Sequence, residues 1–250
     1  MNLTLSEDQI LIRENAQKFL DLNYSFEKRQ DIILKNKKLP FDYWKKYAEL
    51  GWLGLAFSEN VGGYDGNINN LMTLMECLGS SLILEPIIFN NIIIGKLFEE
   101  LKIRNFNTSL EQIITGEKIY SFLFSPTESF ENNILENLKI HKNNEKNILS
   151  GKCELVFGID NFDYILIPLY LNNNINLYLL SNAKQGYEVR NFETVDNMIV
   201  SNIEFNNCEL NNDELVFSTE KKAFFTKLDY IVDLAILSAC SQSLGIIDKM

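Results

Sequence analysis

Few side chains in this sequence have both the type and the spacing that chemistry needs. His141, the sole histidine, sits in an Asn/Lys-rich stretch and reads as a solvated hairpin residue, not as the base of a Ser-His-Asp group. Gly62-Gly63 would cradle a phosphate if a strand preceded it and a lysine followed; neither does, so a phosphate loop is excluded. Cys77, Cys153, Cys208 and Cys240 lie far apart with no CxxC pair, which predicts buried or half-buried free thiols and no metal site. Glu59 and Glu76 are expected to fix a loop and a helix end, and Asp160 and Asp163 to cap a turn.

Charge and length narrow the classes further. The net charge of -11, from 23 basic and 34 acidic residues, repels nucleic acid. The opening MNLTLSEDQI lacks the basic region, apolar core and cleavage site of a secretory leader. Ile87 to Leu97 is apolar but is interrupted by Asn90, Asn91 and Lys96, too short and too polar for a membrane span. A cytoplasmic protein is expected. Its 250 residues suffice for one large domain or two modest ones.

The elements that must position any site fall into three parts. Residues 1 to about 118 read as helical. Ser6 and Gln9 form a capping box, with Leu5 and Ile10 placed as a hydrophobic staple and Ile12, Ala16, Phe19 and Leu20 on one face. A second helix is expected from Pro40, with Phe41, Trp44 and Ala48 on a face and a stop at Gly51. The window Leu50 to Gly66 mixes five glycines with Trp52, Leu53, Leu55 and Phe57, which predicts an irregular connection held against a core. Leu71, Leu74, Met75 and Leu78 mark a third helix ending at Gly79. Pro86 opens a fourth through Ile92, Ile93 and Leu97, and Leu110 to Thr115 form a short fifth before Gly116.

From about Lys118 the apolar runs shorten and alternate: YSFLF, LENLKIH, YILIPLYL, INLYLL and SNIEF. Asn143-Asn144, Gly151, Asn172 to Asn174 and Asn206-Asn207 read as the turns between them. This predicts an antiparallel all-β unit after a helical one, an α+β arrangement. After Ser218 helical spacing returns through Phe224, Leu228, Ile231 and Ala235. Its apolar stripe needs a partner surface.

Five segments in this order resemble the acyl-CoA dehydrogenase family: LSEDQILIRENAQKFL, LGWLGLAFSENVGGYDG, MECLGSSLILEP, ITGEK and GKCELVFGIDNFDYILIP. YSFEKRQDI and LEPIIFNNIIIG are closest to the pimeloyl-CoA dehydrogenase small-subunit type. The resemblance implies an N-terminal helical domain over 1–118, a middle antiparallel β-barrel over 119–217 and, over 218–250, the first helix of a truncated C-terminal bundle. It also implies FAD, an acyl-CoA substrate, an acceptor of the electron-transfer flavoprotein type, and homo- or hetero-oligomers. The reaction implied is α,β-dehydrogenation of the thioester. A glutamate takes the α-proton, and no residue up to Met250 is assigned as that base.

The same resemblance places candidate flavin contacts at Phe124, Pro126, Thr127 and Val156, with Asn133 toward the substrate. Glu154 stands where the family has an aromatic ring over the flavin, and Val156 where it has a hydroxyl. A carboxylate beside a flavin disfavours the reduced anionic ring. The alternative function is therefore a non-catalytic subunit that pairs with a flavin-bearing homologue.

Overall fold

The computed structural model describes residues 4–35, 41–124, 138–143 and 146–250. The helical part comprises α1 (Glu7–Asn23), α2 (Phe26–Lys35), α3 (Phe41–Glu49), α4 (Ile68–Ser80), α5 (Ile94–Leu101) and α6 (Phe106–Ile114). Ser6 caps α1 through the expected box, accepting from Gln9 N while Gln9 accepts from Ser6 N. Leu5 and Ile10 stay exposed, so the staple has no core beneath it. Helix α2 has no counterpart in the sequence reading. Among its described side chains Arg29 is the one buried, and its guanidinium donates to the carbonyls of Leu82 and Asp196, both at 2.7 Å. Pro40 lies outside the described residues.

The glycine-rich window joins two cores. Trp52 and Leu53, in a short 3-10 turn, pack with Tyr47, Leu74 and Leu78. Tyr47 stacks on Trp52 with ring centroids 5.0 Å apart. Five residues on, Phe57 enters a separate cluster with Ile94, Phe98 and Phe122. The paired glycines are turn geometry: Gly63 N donates to Ser58 O at 2.9 Å, and a Cβ on Gly63 would overlap the Phe57 carbonyl. Glu76 pairs with Arg13 at 3.0 Å, and Asp163 accepts from Ile119 N at 2.9 Å, both structural roles.

Among the described residues the β part forms two sheets, neither of them closed. Strands β1 (Tyr120–Phe122), β4 (Tyr164–Leu171), β5 (Asn174–Ser181) and β8 (Leu215–Glu220) form one sheet in the order β1-β4-β5-β8. Strands β2 (Leu138–Asn143), β3 (Lys146–Phe157), β6 (Tyr187–Glu193) and β7 (Ile199–Leu210) form another, in the order β2-β3-β7-β6. The expected antiparallel barrel is thus not seen: the described strands give two open sheets, with β1 pairing β4 in parallel. A common core fills the space between them, with Leu149, Val156, Ile167, Leu180, Ile203 and Phe205. Gly151 and Asn206-Asn207, read as turns, lie inside β3 and β7. There the pairing skips from Leu149–Cys208 to Gly151–Phe205, a bulge with Asn207 in the left-handed region.

Helix α7 (Lys221–Lys249) crosses both parts. It is the one described helix long and apolar enough to cross a membrane by length and composition. Instead its stripe is used internally: Phe224, Leu228, Ile231 and Ala235 complete the core shared by α5, α6 and the β1-β4-β5 sheet. Further along, Gly79 lies in the last turn of α4, one residue before its end at Ser80, and faces α7. A Cβ on Gly79 would overlap the Gln242 carbonyl, and one on Gly245 would overlap the Glu76 carbonyl. The two backbones therefore touch.

Alanine at Gly79 raises local helix propensity by roughly 1 kcal/mol. We nonetheless expect Gly79→Ala to destabilise the protein by about 2 kcal/mol, through overpacking at the crossing, and to lower Tm by roughly 4–8 °C. Calorimetry checks this, and a rise in Tm would show that the crossing is not tight.

Candidate functional site

An apolar cavity of about 520 Å³ lies where the helical part, the strand ends and α7 meet. One wall is the segment Ile83 to Ile93, the second is Phe124, Phe157 and Met198, and the third is Val232, Ala235, Ile236, Ala239 and Gln242 of α7. That volume lies in the range of small-molecule sites, and the lining is almost wholly apolar.

The first wall takes its shape from an irregular helix start. Pro86 has no N–H to donate, and Ile88–Ile93 form a π-helical turn before α5. Wide turns of this kind recur at functional sites. Two buried asparagines pin it. Asn90 Nδ2 donates to Ser121 Oγ at 3.1 Å and to Gly158 O at 3.0 Å, and Asn91 Nδ2 donates to Leu53 O at 2.8 Å. Phe89 stacks on Phe157, with centroids 4.7 Å apart and planes 8° from parallel. The π turn is thus fastened to both the β part and the glycine-rich window.

Glu85 is the one ionisable group among the described residues of the lining. It is only 4% exposed, and Tyr47 Oη donates to its Oε2 at 3.2 Å. Tyr24, beside it, accepts from Leu84 N at 3.0 Å. Oε1 has no hydrogen-bond partner among the described residues. Burial pushes the carboxyl up to about 7, because the anion loses its hydration. Burial, with the Glu85 charge added, also raises the Tyr24 and Tyr47 phenols well above their ordinary value.

The residues singled out by resemblance separate here. Phe124 is buried and lines the cavity. Val156 is fully buried between the sheets and does not line it. A register shift between Cys153 and Val156, with Leu155 in the left-handed region, turns Phe157 toward the cavity instead. Glu154 is exposed and paired with Lys152. Pro126, Thr127 and Asn133 lie outside the described residues. The described lining offers aromatic and aliphatic surface, with Glu85 and Gln242 as its polar side chains. An isoalloxazine edge needs several hydrogen-bonding partners, and these residues do not supply them.

Residues 6–94 match the family model described as acyl-CoA dehydrogenase, N-terminal domain. The chain carries an acyl-CoA dehydrogenase N-terminal domain. Solved structures extend the likeness over the whole chain. Against the ChsE4-ChsE5 complex from Mycobacterium tuberculosis the TM-score is 0.80 at 16% identity, covering 100% of this chain and 66% of that one. An acyl-CoA dehydrogenase from Geobacillus kaustophilus gives 0.77 at 18%, covering 97% and 68%. PigA with FAD and proline gives 0.80 at 19%, covering 100% and 67%. At these identities the likeness is one of fold, and the chain spans about two thirds of those relatives. No curated protein sequence matches it.

Sequence reasoning missed Glu85 and Phe157. A signal for Glu85 was present: a lone carboxylate inside the apolar run LILEPIIF, where a charge has no solvent-facing period to occupy. No comparable signal marked Phe157, whose orientation depends on the bulge.

The raised carboxyl of Glu85 gives a signed prediction. Unfolded, it ionises near 4.5; folded, near 7, so in that window the folded protein holds a proton that the unfolded chain has released. Stability should therefore fall as pH rises through the window, by roughly 3 kcal/mol in all. Urea unfolding at about pH 5 and about pH 8 should show that loss in the parent chain and not in Glu85→Gln. An equal pH dependence in both would place the titration elsewhere.

Proposed function

We propose that the chain is the acyl-binding portion of an acyl-CoA dehydrogenase-like oxidoreductase, with the apolar cavity under α7 as the seat of the acyl tail. The observation that carries this is the cavity itself. It lies between the matched N-terminal domain, the strand ends and α7, and Phe124, singled out by the family resemblance, stands in its wall. The three-part division at about residues 118 and 217 belongs to the same reading, as does a cytoplasmic location. Phe89, Phe124, Phe157 and the α7 side chains would exclude water from the tail and hold it by apolar contact. FAD is the cofactor expected of such a protein, and flavin redox chemistry would supply the oxidation. No step through it is assigned to the described residues, because their hydrogen-bonding set does not fit the ring.

The second reading, a non-catalytic subunit paired with a flavin-bearing homologue, is favoured by one specific observation. Glu154 is turned to solvent in an ion pair and Val156 is buried between the sheets, so neither side chain stands at the cavity. Similar folds occur in an assembly of two different chains, the ChsE4-ChsE5 complex. Tyr230, Ile236, Leu244 and Ile247 leave an apolar strip of α7 exposed, a surface suited to further helices of either origin.

Ala239 is exposed and also lines the cavity, so Ala239→Trp should plug it without disturbing the core. Calorimetric titration with octanoyl-CoA should show at least a roughly tenfold weaker Kd for this variant than for the parent, with Tm almost unchanged. Equal affinity in both would remove the cavity from the acyl site.

A further inference from the structure

Arg29 does not line the cavity, yet it reaches two of the cavity's walls from outside. Its Nε donates to Leu82 O and its Nη2 to Asp196 O, each at 2.7 Å. Leu82 immediately precedes Ile83, where the first wall begins. Asp196 sits in the turn between β6 and β7, just before Met198 of the second wall. That turn braces itself. Thr194 N donates to Met198 O and Asn197 N to Thr194 O, both at 2.9 Å, and Met198 N donates to Asp196 Oδ1 at 3.4 Å. It therefore moves as a unit with Met198. Among the described residues, the Arg29–Asp196 bond is the one hydrogen bond from this turn to the helical part. Leu82 needs support too: its φ of 53° is left-handed, which costs a residue other than glycine roughly 1–2 kcal/mol.

We propose that Arg29 is a positioning residue for tail selection: its guanidinium clamps the Ile83 wall to the Met198 turn, and so weights the cavity toward slender tails over broad ring systems. This rests on the reading of the cavity as the seat of an apolar tail. The direction follows from the geometry of the clamp. Nε and Nη2 lie on one edge of a rigid, planar group, so two carbonyls from distant parts of the chain are held side by side. Their oxygens carry like partial charges and repel each other once the cation between them is removed. Each also loses its donor in a half-buried place and turns toward water to replace it. Leu82 is then free to leave its left-handed conformation. All three effects part the two walls. A wider cavity helps a broad tail, which needs the room, and weakens a slender one, which loses contacts on one side.

Displacement of the fluorescent apolar probe phenylnaphthylamine from the full chain tests this with decanol and adamantanol, alcohols with the same number of carbons but different breadth. Arg29→Met keeps the reach of the side chain and removes its donors. It should shift the ratio of the two Kd values roughly tenfold in favour of adamantanol. Arg29→Lys should shift it less, because an ammonium still donates but does not hold two carbonyls in one rigid fork. A general loss of packing weakens both alcohols alike and leaves the ratio where it was. Should Arg29→Met fail to fold, Arg29→Lys alone decides. A ratio that is unchanged, or shifted toward decanol, overturns the role of Arg29 and leaves the cavity reading standing. Failure of both alcohols to displace the probe from the parent chain, with Ala239→Trp binding the probe as the parent does, overturns the cavity reading and this inference with it.

Discussion

The backbone contact between α4 and α7 is the constraint on which the rest depends. Gly79 and Gly245 let the helices approach until each would meet a carbonyl of the other if a methyl were added. At that separation the axis of α7 has little freedom. Its direction then sets where Val232, Ala235, Ile236, Ala239 and Gln242 stand. Nearer its start, α7 seals a core in which helical residues such as Leu97 and Phe98 and strand residues such as Leu166 and Leu177 take part together. One helix thus unites the helical and β parts and roofs the cavity they leave.

The cavity is kept open by polar groups, not by apolar ones. Apolar side chains alone would close over a recess of this size, since interiors pack densely. The π turn resists because Asn90 and Asn91 hold it to Gly158, Ser121 and Leu53 by hydrogen bonds in a dry setting, where breaking one is costly. Glu85 stands at the start of that turn. Its burial is tolerated because Tyr47 and a neutralising proton share the load, and this is why its carboxyl titrates so high.

Departures from the expected pattern along β3 have one origin. A strand places alternate residues on opposite faces, so a single bulge exchanges the faces of everything beyond it. The shift between Cys153 and Val156 does this. It sends Val156 into the sheet core and leaves Phe157 at the cavity, where it stacks on Phe89. Counting residues from Lys152 predicts the reverse.

Local physics was legible in the sequence. The Ser6–Gln9 box, the amphipathic faces of α1 and α4, the short helix before Gly116 and the change from helical to strand period near Lys118 all depend on residues close in sequence. The family was legible because its signatures are local as well. Tertiary structure decided what depends on distant neighbours. Gly79 reads only as a helix end until α7 is seen packed against it, and Gly151 as a turn until β7 is paired beside it. Likewise the two described sheets stay open where the family resemblance implied a barrel, since closure is settled by pairing at the sheet edges, not by any strand's own pattern. Glu85 is visible in the sequence as an isolated charge. Only packing by α1, α3 and the π turn makes it a buried acid at a ligand-sized cavity, because desolvation is a property of the whole surroundings.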